Sequence, residues 1–192
     1  TDGMIDGIIN QIPPQAVMYL INAMAFDAEW ETVYRTTDLR DGTFTSASGE
    51  QQAVQMMHST ESRYFETDSA VGFFKDYSFV GILPDEGVSL HDYVAGLDAA
   101  ALLQAMQNAS NGSASVTMPK FSYDYKLEMS QCLKQLGMPT AFDVDADFSG
   151  IDSSGTHRFA ISEVLHQTHI SVNERGTKAG AATKVELNNN SE

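Results

Sequence analysis

A lone cysteine inside a predicted helix is the first candidate for covalent chemistry in this sequence. Cys132 could act as a nucleophile only beside a general base, yet it falls on an apolar helical stripe that runs from Met129 to Leu136. Because a buried thiol is usually inert, we interpret Cys132 as a core residue. The chain also lacks the Gly-x-Ser-x-Gly motif of a serine nucleophile. An α+β hydrolase is therefore an alternative with no nucleophile–base pair to support it.

Two groups of residues have the composition of a metal site but not its spacing. His166 and His169 lie three residues apart in a predicted strand, so their side chains point to opposite faces and cannot share one ion. Residues 143–147 read Asp-Val-Asp-Ala-Asp, like the start of a calcium-binding EF-hand loop. Phe148 stands where that loop needs glycine, and Ser154 stands where it needs glutamate. The sequence predicts no bound metal and no cofactor.

The composition limits the classes of partner. Among 192 residues there are 26 acidic and 11 basic side chains, and the net charge of −15 argues against nucleic acid binding. With 42% hydrophobic and 19% charged residues, the chain is typical of one globular domain. No apolar run approaches membrane-spanning length, and the first residues do not resemble a signal peptide. One cysteine excludes an internal disulfide framework.

The segment Gly176–Leu187 is the most distinctive part of the chain. It keeps the two-residue period of a strand but is built mainly from small residues. Its odd-numbered positions form a small, mostly apolar face, and its even-numbered positions form a mainly polar face. Alanine and glycine are poor formers of a permanent strand. The segment is either an ordinary linker or a mobile loop that can slide between two strands, with its small face inward and Lys178 and Gly180 outward.

The rest of the chain alternates between short strands and small helices. Ala16–Phe26 is apolar on both faces and is predicted to be a central strand, and Met4–Ile9 is predicted to end a helix. Ser89 and Asp92 form a capping pattern before one helix, Ala99–Gln107 forms a second, and Asp124 is a suitable cap for the helix of Cys132. Other extended runs are Ala53–Met57, Arg63–Glu66, Val71–Tyr77, Phe79–Leu83, Val116–Phe121 and Phe159–Glu174. The pattern predicts an α+β fold.

Eight segments resemble signatures of the serpin family, in the order in which that family shows them. They are Leu20–Trp30, Val54–Met57, Ile82–Gly87, Met118–Phe121, Leu133–Gly137, Ala146–Ile151, Ser162–His166 and Val172–Thr183. The resemblance extends along nearly the whole chain. It implies a partial serpin fold of mixed and antiparallel sheets with small flanking helices, in a single domain over residues 1–192. It also implies a fragment, roughly the C-terminal half up to the reactive-centre loop, with residues 175–192 as the hinge and loop.

The resemblance implies that the whole protein is a suicide-substrate inhibitor of serine or cysteine endopeptidases. In that mechanism the target protease cuts the exposed loop, and the loop enters the large sheet while the protease stays covalently attached. The family also implies a monomer that is extracellular or at the cell surface. The alternative is a non-inhibitory serpin with a carrier, chaperone or storage role, whose hinge would more often carry bulky or charged inward residues.

The resemblance also assigns roles to individual residues. The hinge comprises Glu174, Gly176, Thr177, Ala179, Ala181, Ala182 and Thr183. Trp30, Lys120 and Glu174 match the breach, where insertion begins, and we expect Lys120 and Glu174 to form an ion pair near the indole. Asn22 and His166 match the shutter beneath the centre of the sheet, where they are expected to hydrogen-bond. Family spacing places the scissile bond between Asn190 and Ser191.

Overall fold

The computed structural model describes residues 1–9, 11–76, 79–151 and 159–189. Within these residues the strands are β1 (Ala16–Glu29), β2 (Leu39–Thr45), β3 (Gln51–Glu66), β4 (Ala70–Lys75), β5 (Phe79–Pro84), β6 (Ser110–Pro119), β7 (Phe121–Glu128), β8 (Phe159–Val172) and β9 (Gly176–Asn189). The helices are α1 (Leu90–Ala95), α2 (Ala99–Gln107) and α3 (Ser130–Gln135), with 3-10 turns at Thr36–Asp38 and Thr140–Phe142. The predicted α+β class is confirmed.

The chain divides into two compact units. The first unit consists of Thr1–Ala28, Ser122–Val172 and Thr177–Glu192, and the second consists of Glu29–Phe121 and Asn173–Gly176. The first unit contains a four-stranded sheet in the order β1-β9-β8-β7. The second contains a five-stranded sheet in which β2, β3, β4 and β5 follow one another and β6 pairs with β3.

The first unit buries one group of side chains around β8 and β9. The most buried of its apolar residues are Phe159, Ala160, Val164, Leu165, Val172, Ala182 and Leu187. β8 and β9 pair in antiparallel fashion from Phe159 opposite Asn189 to Val172 opposite Thr177, with an irregularity between Ile161 and Glu163. This long ladder holds the Ala- and Gly-rich segment as a strand despite its low intrinsic β-propensity.

β1 lies at the edge of the four-stranded sheet, so the prediction of a central strand is wrong for this sheet. Its hydrophobic side chains are exposed on both faces, including Leu20, Ile21 and Met24, which are between 52% and 66% exposed. A strand that is apolar on both faces does not reveal which elements cover it. Met4–Ile9 also differs from its prediction, because turns and bends replace the end of a helix there.

α3 departs from its sequence prediction in two ways. Its N-cap is Met129, and Asp124 instead lies in β7, where its Oδ1 atom is 2.9 Å from Nδ1 of His169. The start of α3 is fastened to β8, because the Met129 N–H donates to the Val164 carbonyl and the Val164 N–H donates to Ser130 Oγ. The opposite side of α3 is uncovered. Cys132 is therefore exposed, and its interpretation as a core residue is wrong.

The second unit is organised around β3. The sequence predicted two short runs here, but Gln51–Glu66 is one continuous strand that pairs with β2, β4 and β6. Its core includes the fully buried Met57 and the buried Trp30, Tyr34 and Phe65. The helices follow their predictions more closely. Ser89 caps α1 by accepting a hydrogen bond from the Asp92 N–H, and α2 spans the predicted residues.

Candidate functional site

The segment singled out by its small residues lies inside the four-stranded sheet. β9 is hydrogen-bonded on one side to β1 and on the other to β8. The contacts with β1 include an ion pair of 2.8 Å between Lys178 Nζ and Asp27 Oδ2. The contacts with β8 include the register pairs Ile170 with Ala179 and Thr168 with Ala181. The segment is therefore a strand with a hydrogen-bonded neighbour on each of its edges.

The burial of the two faces of β9 differs from the sequence expectation. Along the odd-numbered face, Thr177 and Leu187 are buried, while Ala179, Ala181, Thr183 and Val185 are half-buried. Along the even-numbered face Lys178 is exposed as expected, but Gly180, Ala182, Lys184 and Glu186 are all buried. The face expected to point outward is thus covered over most of its length. Alternation alone reports that a strand has two faces and does not tell which of them another segment covers.

Gly180 is buried by the amino-terminal segment. A Cβ atom added at this residue would lie 3.1 Å from Cβ of Met4 and 3.5 Å from its Sδ atom. Such a contact is tighter than ordinary van der Waals packing, so either Met4 or the strand would have to move. Glycine at position 180 therefore allows Met4 to approach the backbone of β9 closely.

Lys184 is the centre of a buried charged cluster that sequence reasoning missed. Its Nζ atom is ion-paired with Glu163 on β8 and lies 3.5 Å from Oε2 of Glu186. Burial alone would lower the pKa of Lys184, but the hydrogen bond and charge of Glu163, together with Glu186, raise it above its usual value of 10.5. The available signal was the position of Lys184 and Glu186, which are two residues apart and so share one face of the strand.

His166 takes its partner from β9. Its Nδ1 atom lies 2.8 Å from Oγ1 of Thr183, the residue directly opposite it in the register. β9 separates β8 from β1, the strand that carries Asn22, and Asn22 is exposed. The expected hydrogen bond between His166 and Asn22 is absent in this arrangement, and His166 is bonded to Thr183 of β9 instead.

In the second unit, residues 173–175 are held by a row of donors. The Trp30 indole N–H donates to the Asn173 carbonyl at 2.8 Å. The backbone N–H groups of Tyr34 and Trp30 donate to the carbonyls of Glu174 and Arg175, at 3.0 and 2.8 Å. The Asn173 side chain closes the turn by accepting from the N–H groups of Arg175 and Gly176. Three successive carbonyls are thus satisfied by Trp30 and Tyr34.

The expected ion pair between Lys120 and Glu174 is present. Lys120 Nζ lies 2.6 Å from Oε2 of Glu174, and both side chains are partly exposed. The hydrogen bond from Lys120 holds the pKa of Glu174 below its usual value of 4.5. Trp30, the third residue predicted for this cluster, reaches the same segment through the carbonyl of Asn173, the residue before Glu174.

A buried lysine supports Trp30 from within the second unit. Lys75 Nζ lies 5.4 Å from the centre of the Trp30 ring and 4.6 Å from that of Tyr34, which are distances of cation–π contact. It is also 3.1 Å from Oε1 of Glu61, which accepts a hydrogen bond from Ser59. Sequence reasoning missed this network because Glu61 and Lys75 lie on different strands.

The sequence also led to expectations about the scissile bond, metal binding and membrane-spanning segments. Asn190 and Ser191, the predicted scissile pair, lie outside the described residues. The described part of the chain contains no group of three or more His, Cys, Asp or Glu residues able to hold a metal ion. No helix in the same residues is long and apolar enough to cross a membrane.

Comparison with known proteins identifies the family. A family model described as serpin (serine protease inhibitor) matches residues 1–192. The chain belongs to the serpin family. This family includes protease inhibitors and also non-inhibitory members such as thyroxine-binding globulin, and its members are found both outside and inside cells.

Individual serpins are similar along most of the chain. A serpin-like protein of Thermococcus kodakarensis is 35% identical over 196 residues, covering 99% of this chain and 45% of the relative. A serine protease inhibitor of Cyanea capillata is 32% identical over 180 residues, covering 88% of this chain and 47% of the relative. The solved structure of the thermophilic serpin tengpin in the latent state is similar with a TM-score of 0.88 and 47% identity, over 97% of this chain and 52% of that one. The chain thus spans about half the length of the curated relatives it matches.

Proposed function

We propose that the whole protein is a suicide-substrate inhibitor of serine or cysteine endopeptidases. The protease nucleophile attacks the carbonyl carbon of Asn190 and forms an ester or thioester with it. The peptide bond to Ser191 breaks, and the new amino group takes the proton that the nucleophile gave up. The freed segment then enters the large sheet as a strand and carries the attached protease away from the geometry it needs for hydrolysis.

The observation that carries this proposal is the position of β9 between β1 and β8. Insertion of such a strand adds new ladder hydrogen bonds along both of its edges. Roughly ten additional bonds at about 0.5–1.5 kcal/mol each would favour the inserted form by on the order of 10 kcal/mol. This is enough to drive a large displacement if the uncut loop is held outside the sheet.

The side chains of the hinge support inhibition over a carrier or storage role. Thr177, the first hinge residue after Gly176, is only 7% exposed, so a bulky or charged residue there would have to be buried before the strand could enter. The residues that follow at alternate positions, Ala179 and Ala181, are small. The similarity of the chain to a serine protease inhibitor of Cyanea capillata is consistent with an inhibitory function.

We assign two groups of polar residues to the control of insertion. The first consists of Trp30, Lys120 and Glu174, and the second consists of Asn22 and His166. Trp30, Lys120 and Glu174 hold the entry of the hinge, through carbonyl contacts and one ion pair. His166 changes its partner when the strand is present, from Asn22 on β1 to Thr183 on β9. Both clusters would therefore influence how readily the sheet opens.

The proposal is tested by incubating the whole protein with a panel of endopeptidases and looking for a covalent complex on denaturing gels. Thr177→Arg should convert the inhibitor into a substrate, because the guanidinium must be buried at the first step of entry. Lys178→Arg is the matched control, since it places arginine one residue later at a side chain that is 56% exposed. The control should trap protease like the wild type. If the wild type and Thr177→Arg are both simply cleaved by every protease, the protein is not an inhibitor of this kind.

A further inference from the structure

Two glutamates face each other across β8 and β9. The register places Glu163 directly opposite Glu186, and the Glu186 side chain is only 7% exposed. Like charges directly opposite in a strand pair are destabilising, the more so when one is removed from water. Lys184 resolves this conflict, because its buried ammonium is ion-paired with Glu163 and lies 3.5 Å from Glu186. Ser162 Oγ adds a donor 3.3 Å from Oε1 of Glu186.

This charged cluster depends on the position of β9. Glu163 belongs to β8, whereas Lys184 and Glu186 belong to β9. The cross-strand ion pair therefore forms only when the far half of β9 lies beside β8. A ring contact with Tyr19 on β1, whose centre is 5.5 Å from Lys184 Nζ, is acquired in the same way.

We propose that Lys184 is a positioning residue for loop insertion, which supplies the counter-charge that lets Glu186 enter the sheet opposite Glu163. The proposal rests on the proposed inhibitory function and adds a determinant of its efficiency. Without Lys184 the strand can enter as far as its small residues, but its next step buries the Glu186 carboxylate opposite the carboxylate of Glu163, which is 39% exposed. Entry then slows, and the protease has time to hydrolyse the acyl bond and escape.

The test uses the stoichiometry of inhibition, the number of inhibitor molecules consumed for each protease trapped. Lys184→Met keeps the length and apolar stem of the side chain but removes its charge, and it should raise this stoichiometry by about tenfold. Adding Glu163→Gln to Lys184→Met removes one of the facing carboxylates and should restore a value near that of the wild type. A lysine that served only for packing would not be rescued by a change at residue 163.

Lys178→Met provides a matched control on the same strand. The Lys178–Asp27 pair also joins β9 to a neighbouring strand, but its side chains are 56% and 51% exposed. Exposed ion pairs contribute little, so this variant should inhibit like the wild type. Unchanged stoichiometry in Lys184→Met, or a failure of Glu163→Gln to rescue it, would overturn the role of Lys184.

A second measurement separates this inference from the inhibitory function. The whole protein and its variants are nicked in the loop by an unrelated protease, and the urea midpoint of each nicked form is compared. Lys184→Met should lower the midpoint, and Glu163→Gln in the same protein should recover it. If the wild type traps no protease but this pattern holds, Lys184 still positions the strand and only the inhibitory function is lost. If the midpoints show no coupling between residues 163 and 184, the inference is wrong.

Discussion

The imidazole of His166 and the hydroxyl of Thr183 form a hydrogen bond of 2.8 Å between adjacent strands, Nδ1 to Oγ1. Thr183 is the residue of β9 that lies opposite His166 in the antiparallel register. The interaction therefore lies near the centre of β9. It also explains how a polar imidazole remains satisfied in the sheet when β9 lies between it and β1.

Thr183→Val should weaken the strand-inserted form, because it removes the partner of His166 without changing the shape of the side chain. We expect a loss of about 0.5–1.5 kcal/mol in the free energy of unfolding. Urea denaturation of the loop-nicked protein would measure it. Thr183→Ser keeps the hydroxyl and should retain most of the stability. Equal losses in the two variants would mean that the hydrogen bond contributes nothing.

Thr177→Val should stabilise the strand-inserted form, whereas Thr183→Val should destabilise it. The Thr177 hydroxyl is buried and finds no hydrogen-bond partner among the described residues. Replacing it with a methyl group of similar shape removes an unsatisfied polar atom, so we expect the inserted form to gain about 1 kcal/mol. The same urea experiment gives the result, with Thr183→Val as the matched substitution of a hydroxyl that is paired. A destabilised Thr177→Val protein would show that the hydroxyl is satisfied in solution.

Gly180→Leu should destabilise the inserted form through a clash with Met4. A side chain at residue 180 begins 3.1 Å from Cβ of Met4, and overpacking of this kind costs about 1–3 kcal/mol. Combining it with Met4→Gly should recover part of the loss, because the opposing Cβ atom is then absent. Thermal unfolding of the single and double variants would check this coupling. Additive effects would indicate that Met4 does not cover β9.

The contribution of the Lys120–Glu174 pair to the free energy of unfolding should decrease as the pH falls. The bound Lys120 lowers the pKa of Glu174 below 4.5, so the stabilisation is fully present above that pH and is lost as pH falls through the lower native value. Because both groups are partly exposed, Glu174→Gln should cost no more than about 1 kcal/mol at neutral pH. The difference from the wild type should vanish in strong acid.

A neighbouring pair supplies the control for this pH series. Arg175 and Glu29 approach to 3.9 Å, and their side chains are 76% and 73% exposed. Glu29→Gln should therefore leave the free energy of unfolding nearly unchanged from neutral to acidic pH. An equal effect of the two substitutions would show that Glu174 acts through net charge alone.

Local signals in the sequence were sufficient for several elements. The α2 helix begins after Asp98, whose side chain accepts hydrogen bonds from the N–H groups of Ala100 and Ala101, and its alanine-rich interior favours a helix. Ser89 caps α1 for the same local reason. The segment around β9 could also be recognised from the sequence, since an alternating pattern of small residues is rare and depends on nothing outside the segment.

Other features depended on partners that sequence patterns do not reveal. Lys184 can be buried because Glu163 supplies an opposite charge beside it. Glu163 is 21 residues away along the chain but adjacent in space. Cys132 is exposed because only the first residues of α3 are fastened to β8, although its spacing was compatible with a core position. Met4 covers Gly180 from a segment with no regular structure, and no periodicity could have indicated that contact.

The pairing of β9 on both edges, with most of its even-numbered face buried, has a consequence for how this segment can vary. Under the proposed insertion mechanism, each of its residues must be compatible with an extended loop and also with a strand between β1 and β8. A substitution that is tolerated in the loop can therefore still destabilise the strand. If the proposed mechanism holds, changes that alter recognition by a protease are expected beyond Leu187, where the sequence is not restricted by this double requirement.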